Sequence, residues 1–354
     1  MNKIKCTLFC HSISPHVQQI YTGFNILSEA GALEIKQVIN NKRKPQKIKP
    51  QYLVNADHAH LSVRISCGKE KYIDILYDNH DAMEISREVL QNHDLYFKRS
   101  YSNNYISTYY PNRKDDIYPL GLNYQLLPDK FNPLTIFREF CLRNSPKDKI
   151  KAILQSFDNN NNIKFYPRVK KMYSLPKAYP ENKVLFMAAA YDPYDHIDRP
   201  KEKIEERIYN NEFRAKCVRL LRKELGPKFY GGFVHNKYTN NMYQDVLIEN
   251  AKNGLKKYYI NILNNFPICI ATTGLHGSIG WKFAEYVAFS KAIISERLQY
   301  EIPGDFKKDK NYLEFTSPDE CLEQSMKLLY NEKLMKEIMV NNSIYYQHYV
   351  RPDM

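Results

Sequence analysis

The chain has a single tryptophan, no Cys-x-x-Cys pair and no apolar run long enough to cross a bilayer. A membrane span needs roughly 18 to 20 consecutive apolar residues. The N-terminal MNKIKCTLFCHSISPH has early lysines but only a short apolar run, which reads as a first buried strand rather than a signal peptide. The seven cysteines (6, 10, 67, 141, 217, 269 and 321) are scattered and odd in number, the usage of a reduced compartment without structural zinc. GxSxG, HExxH and Walker A sequences are all missing, which removes the best-marked hydrolase, metalloprotease and P-loop chemistries. A cytoplasmic protein is expected, working free or at the inner face of the cell membrane.

Acidic residues are also in short supply. Against 52 Lys and Arg stand 39 Asp and Glu, a formal net charge of +13. Such an excess favours anionic partners such as nucleotides, phosphorylated acceptors or an acidic membrane surface. Part of it is concentrated in NKRKPQKIKP at 41–50, either a solvated loop or a contact with anionic lipid. The remaining lysines are spread along the chain rather than gathered in a stripe with aromatics, so nucleic acid is not the expected partner. The 29 tyrosines point to no particular function.

What the chain does have is alternation of short apolar runs with amphipathic stretches, the α/β pattern. KIKCTLFC, LEIKQVI, HLSVRIS, KYIDILYD and DLYFKRS read as strands, with helices over HVQQIYTGFNILSEAG and AMEISREVLQN. A proline-bearing stretch, FYPRVKKMYSLPKAYPENK, follows the polar turn DNNNN and reads as a linker. A second series then restarts with KVLFMAAA and the long helix IEERIYNNEFRAKCVRLLRKEL. The expected domains are 1–170, a linker at 171–182, and 183–340. Two doubly wound, Rossmann-like halves would place a cleft at the carboxyl ends of both sheets, where such sheets bind ligands.

TTGLHGSIGWKFAEYVAFSKAIISE, residues 272–296, carries the most information. A glycine-bearing loop enters an amphipathic helix, and a short apolar strand follows. The N-terminus of a helix offers backbone N–H groups and partial positive charge, which suits a phosphate. Gly274, Gly277 and Gly280 let the backbone approach a ligand. Ser278 is the expected N-cap. Ile279 belongs to the apolar face. Lys282 and Glu285, three apart, either pair with each other or face a ligand. A carboxylate at Glu285 suits vicinal hydroxyls such as those of a ribose.

This stretch resembles the donor-site signature of group-1-like glycosyltransferases of the GT-B fold. The resemblance places Glu285 on the glutamate that binds the donor ribose, Gly280 on the last glycine of the loop, and KAIISE on the strand that follows. A first glutamate of the signature would fall at Gly277 and is missing, with His276 beside it as a substitute. The whole C-terminal half, down to SIYYQHYVRP, is similar to bacterial surface-polysaccharide transferases. The resemblance implies a GT-B architecture with the final segment, 341–354, returning as a helix to the first domain. It implies transfer of a sugar from a nucleotide-diphosphate donor to a glycan or lipid-linked acceptor, with no cofactor and no metal.

Candidate residues follow. Arg214 and Lys282 would offset the charge of a diphosphate leaving group, beside Gly277, Ser278, Ile279, Gly280 and Glu285. His16, after the first strand, and Asp78, ending KYIDILYD, would serve as base or orient the acceptor, with His276 the third catalytic candidate. Asp81 is expected to cap the next helix. His58, His60, His80 and Asp78 do not match a metal-site spacing. Two other readings remain: a sugar-binding subunit of the same fold without activity, and a basic nucleic-acid-binding protein.

Overall fold

The structure is a computed structural model that describes residues 3–39, 58–68, 71–129, 133–143, 145–157 and 167–354. The basic run 41–50 and the asparagine run 158–162 lie outside the described residues. The chain divides into two units. The first is Met1–Lys171 with Tyr300–Gly304 and Tyr349–Met354; the second is Met172–Gln299 with Asp305–His348.

The first unit contains β1 (Ile4–Cys10), α1 (Gln18–Glu29), β2 (Glu34–Ile39), β3 (His60–Cys67), β4 (Lys71–Asp78), α2 (Arg87–Gln91), β5 (Leu95–Lys98), α3 (Asn103–Tyr109), β6 (Ile117–Pro119), α4 (Pro133–Leu142) and α5 (Pro146–Phe157). Its sheet has the order β2-β1-β3-β4-β5-β6. β3 runs antiparallel to both β1 and β4, while the other neighbours pair in parallel. The reversed strand departs from a purely parallel doubly wound sheet, and its cause is local. Only three residues separate β3 from β4, the first being Gly68 at φ 82°, and a parallel pair needs a crossover of a dozen residues or more.

Alternating residues cover both faces of this sheet. Cys6, Leu8, Cys10, Leu61 and Val63 pack with Val17, Tyr21 and Phe24 at α1. Leu76 and Tyr96 pack on the other side with Val89, Leu90, Ile106 and Ile117. The helix expected over AMEISREVLQN is shorter, because Ser86 caps it by accepting from the amide of Val89. The C-terminal residues belong here too: Gln19 donates to the carbonyl of Val350 at 2.9 Å. A Cβ at Gly23 would meet the carbonyl oxygen of Pro352 at 1.8 Å, so only glycine allows α1 and this tail to touch. The tail is not one continuous helix, since a π-helical turn spans Tyr346–Val350.

The second unit contains β7 (Val184–Ala188), α6 (Lys201–Leu225), β8 (Phe229–Phe233), α7 (Lys237–Met242), α8 (Lys256–Leu263), β9 (Ile268–Ala271), α9 (Trp281–Ala288), β10 (Ala292–Glu296), β11 (Tyr312–Phe315), α10 (Pro318–Tyr330) and α11 (Glu332–Tyr345). The order is β11-β10-β9-β7-β8, all parallel. Val184, Phe186, Ile270 and Ile294 pack with α6, α10 and α11 on one face. Leu185, Cys269 and Ile293 alternate to the other face, where α9 lies on β9 and β10.

The chain leaves β7 for β8 on one side and returns to β9 on the other. The direction of winding therefore reverses between β7 and β9, which is where open α/β sheets bind ligands. The ladder there pairs only Val184 with Ile268 and Leu185 with Cys269, so β7 and β9 part before their carboxyl ends.

Candidate functional site

A cavity of about 420 Å³ opens where β7 and β9 part. It is lined from β7 and its loop by Met187 and Tyr191, from β9 and its loop by Thr273 and Gly274, and from the start of α9 by Gly280 and Trp281. Arg214, Lys256, Tyr259, Lys282 and Glu285 complete its polar lining.

Glu285 lies on the second turn of α9 and is 2% exposed. Its Oε1 is paired with the ammonium of Lys256, the first residue of α8. Its Oε2 is buried, and the buried Tyr259 hydroxyl lies beside the same carboxylate. Lys282 does not pair with Glu285. Its Nζ donates to the carbonyl of Met187 at 2.6 Å, beyond the last residue pair between β7 and β9. Burial lowers the Lys282 ammonium to about 8; Glu285 opposes that shift, while Lys256 and Arg214 add to it. Both ammonium groups approach the ring of Tyr259, at 5.2 Å for Lys256 and 5.0 Å for Lys282.

Arg214 reaches the cavity from α6 and holds its rim. It donates to the carbonyl of Ala189 and to that of Thr273, each at 2.7 Å, so one guanidinium ties the loops after β7 and β9. Asn211, one turn earlier, both donates to and accepts from the backbone of Tyr191, presenting that ring beside the Arg214 guanidinium. Glu296 anchors the other loop by accepting from the amide of Thr273 at 2.8 Å. Burial raises its carboxyl despite that bond and the Arg214 charge.

Arg214, Gly280, Lys282 and Glu285 are thus brought to one wall, and Gly277, Ser278, Ile279 and His276 are not. Ser278 does not cap α9. The cap position falls to Gly280, without a side-chain hydrogen bond. The reason is an extra 3₁₀ turn at Leu275–Gly277, whose residues His276 and Gly277 have φ of 58° and 65°. Ser278 and Ile279 are buried behind that turn. At Gly277 a Cβ would also meet the Gln299 side chain at 2.5 Å, and its φ of 65° suits glycine in this turn. His276 is exposed, and its amide donates to Glu206 at 2.5 Å. Lys256, Tyr259, Tyr191 and Trp281 escaped the sequence reading. Trp281, the chain's only tryptophan and part of the key motif, was the available signal.

The first-unit candidates form a different arrangement, at the carboxyl ends of β4 and β5. Asp78 is 1% exposed. Its Oδ1 accepts from the amide of His80 at 2.9 Å and lies 2.8 Å from His80 Nδ1. Its Oδ2 accepts from Tyr96 at 2.5 Å and from the fully buried Lys98 at 2.9 Å. Burial alone would raise this carboxyl; the Lys98 charge and the bonds to His60 and His80 outweigh it and hold the group well below its usual value. Burial and the Asp78 charge drive the Tyr96 hydroxyl upward. Asp81 caps no helix and instead pairs with Arg99 at 2.7 Å.

His16 lies in a 3₁₀ turn after β1, its ring 5.5 Å from that of His58. Burial, then the Arg99 charge, lowers it. His60, Asp78 and His80 place ligand-type atoms within 4.8 Å of one another. The Lys98 ammonium already supplies this carboxylate's counter-charge, and a dication beside it would be strongly repelled.

Among the described residues no helix is long and apolar enough to cross a membrane. No protein-family profile matches this sequence, and no curated protein matches it either. Solved structures do resemble it. The Anabaena HepE protein in complex with UDP-glucose is 12% identical, over 99% of this chain and 97% of that one, with a TM-score of 0.43. A putative UDP-N-acetylglucosamine 2-epimerase from Listeria monocytogenes is 12% identical, over 99% of each chain, with a TM-score of 0.38. The C-terminal domain of a group 1 family glycosyl transferase (LpcC) from Francisella tularensis is 11% identical, over 48% of this chain and 86% of that one, with a TM-score of 0.33. The chain is similar to these proteins in general architecture, and the likeness assigns no residue a role.

Proposed function

We propose that this chain is a glycosyltransferase that binds a nucleotide-diphosphate sugar in the second-unit cavity. The observation that carries the reading is a buried carboxylate on a cavity wall, set among three cationic side chains at an uncapped helix start, where the sheet's winding reverses. The carboxylate suits ribose hydroxyls, and the cations with the helix N-terminus suit the diphosphate.

In transfer, an acceptor hydroxyl oxygen bonds to the anomeric carbon as that carbon's bond to the phosphate oxygen breaks. The electron pair leaves with the nucleoside diphosphate, and the acceptor proton goes to a base. Lys282, Lys256 and the helix N-terminus would stabilise the departing charge without a metal. Arg214 holds the two loops that frame it. The acceptor we infer is a hydroxyl of a glycan or lipid-linked glycan in surface-polysaccharide synthesis. The +13 charge is consistent with an anionic donor and with work at an anionic membrane face.

The lone tryptophan makes a direct test. Titrating the protein with UDP, GDP and ADP and their sugars should change the emission of Trp281 saturably for one base. Emission unmoved by every nucleotide would remove this reading. A second reading, binding without transfer, is favoured by Gly277 standing where resembling enzymes carry a glutamate. Release or transfer of sugar by the purified protein excludes it.

A further inference from the structure

Two cavities in the first unit differ in what their polar groups are doing. One, of about 580 Å³, lies at the amino end of β5. Its Arg113 donates to Asp116 at 2.6 Å and to the carbonyls of Leu90 and His93, and both ring nitrogens of His93 are bonded within the chain. That cavity has little left to offer a ligand. The other, of about 440 Å³, lies at the outer edge of the sheet beside β6, the last strand in the order. Tyr101, Asn103, Ser107, Lys114, Asp115 and Tyr118 line it. Among the described residues, the side chains of Asn103, Ser107, Lys114 and Asp115 make no hydrogen bond or ion pair.

The walls of this edge cavity are anchored while its polar tips are not. Ser102 caps α3 by accepting from the amide of Tyr105 at 3.3 Å, and Glu301 accepts from the amide of Asn103 at 3.0 Å. Asn103 and Ser107, four apart on α3, share a face. The Arg113–Asp116 pair spans the 3₁₀ turn Pro111–Asp116 that carries Lys114 and Asp115. Tyr118 pairs in register with Phe97, and Phe97 with Tyr77; their ring centroids lie 5.6 and 5.4 Å apart. Phe97 thus backs the Tyr118 ring on one side. No strand of the sheet lies beyond it on the other, and the residue is 42% exposed.

The chemistry of this lining narrows the ligand. One ammonium and one carboxylate leave no net charge, so an anion gains little from it. An apolar ligand would strip four polar side chains of water without bonding them. A sugar ring suits both parts of the lining: its C–H face packs on an aromatic ring, and the hydroxyls along its rim donate and accept. We propose that this edge cavity is a saccharide-binding subsite, with Tyr118 as the stacking platform and Asn103, Ser107, Lys114 and Asp115 as partners for sugar hydroxyls. It shares no residue with the second-unit cavity and needs no nucleotide. It gives the chain a hold on a glycan that the donor site does not supply.

The test uses the full chain and saturation-transfer NMR with pentasaccharides of glucose, galactose, mannose and N-acetylglucosamine, in the absence of nucleotide. At least one of them should receive saturation from the native protein. Tyr118→Ala should weaken binding of that sugar about tenfold, and Tyr118→Trp should keep it. Asn103→Ala combined with Asp115→Asn should weaken it too, and serves as the second variant if Tyr118→Ala does not fold. Melting temperatures should stay close to the native value, because Asn103, Asp115 and Tyr118 are all exposed. A native protein that transfers saturation to none of the four probes overturns the proposal. So does a sugar that the native protein and the variants bind equally well. Either result leaves the donor reading standing, whereas Trp281 emission unmoved by nucleotides removes that reading and leaves this one.

Discussion

Asp78 in the first unit and Glu285 in the second are both carboxylates almost wholly removed from water, and both lie near the carboxyl ends of strands. Asp78 has its full complement of partners: Lys98, Tyr96 and His80 serve both its oxygens. Glu285 has one oxygen held by Lys256 and the Tyr259 hydroxyl beside it, and the residue lines a cavity. Asp78 is enclosed by its own network, whereas a buried acid on a cavity wall among cations lies where a ligand's donors can arrive. Asp78 thus orders His80, Tyr96 and Lys98 around itself, while Glu285 stands on the wall of an open cavity.

The largest effect should come from breaking the saturated pair. Lys98→Met leaves Asp78 as an uncompensated buried anion, which costs about 3–5 kcal/mol. Urea unfolding should show that loss while nucleotide affinity in the second unit stays unchanged. A stability equal to the native protein's would dissolve the contrast. The acid response has a definite sign. Asp78 is held below its unfolded value of 3.8, so its contribution is present above that pH and is lost only as pH falls towards the folded value.

The reverse result is expected at the other acid. Glu285→Gln keeps the shape but removes the charge, so nucleotide affinity should fall by about 1.5–3 kcal/mol, read from Trp281 emission. Stability should move much less, because Lys256 is partly exposed and can be solvated. Undiminished affinity would reassign the cavity.

A smaller effect separates the two sites by pH. Lys282 titrates at about 8 rather than 10.5, so affinity for a diphosphate should decline as pH rises through 8. Lys282→Arg, which stays charged, should abolish the decline. Stability should run the other way: between about 8 and 10.5 the unfolded chain binds the extra proton, so raising pH across that window stabilises the fold.

The smallest effect sharpens the geometry of the loop. Gly280→Ala meets nothing nearer than the Thr272 carbonyl at 3.6 Å, at an ordinary φ of −68°, and should cost about 1 kcal/mol or less. Gly277→Ala, at φ +65° against Gln299, should cost more, about 1–2 kcal/mol from the backbone alone. Thermal melts of the two variants give the order directly.

Local pattern was enough for some of this and not for the rest. The strands Ile268–Ala271 and Ala292–Glu296, the glycine loop and the carboxylate on the second turn of α9 follow from apolar runs, glycine and helical period, all short-range properties. The cap was misplaced by two residues because a left-handed pair at His276 and Gly277 inserts a turn that propensity does not signal. The reversed strand β3 was readable in principle from its short connection to β4, but the doubly wound pattern around it suggested parallel pairing throughout. Tertiary structure alone decided that Glu285 meets Lys256 instead of Lys282, that Arg214 ties two loops, and that Lys98 completes Asp78. Each of those contacts joins residues from different elements. Their meeting depends on strand order, on register and on where the sheet's winding reverses, which no local stretch of sequence contains.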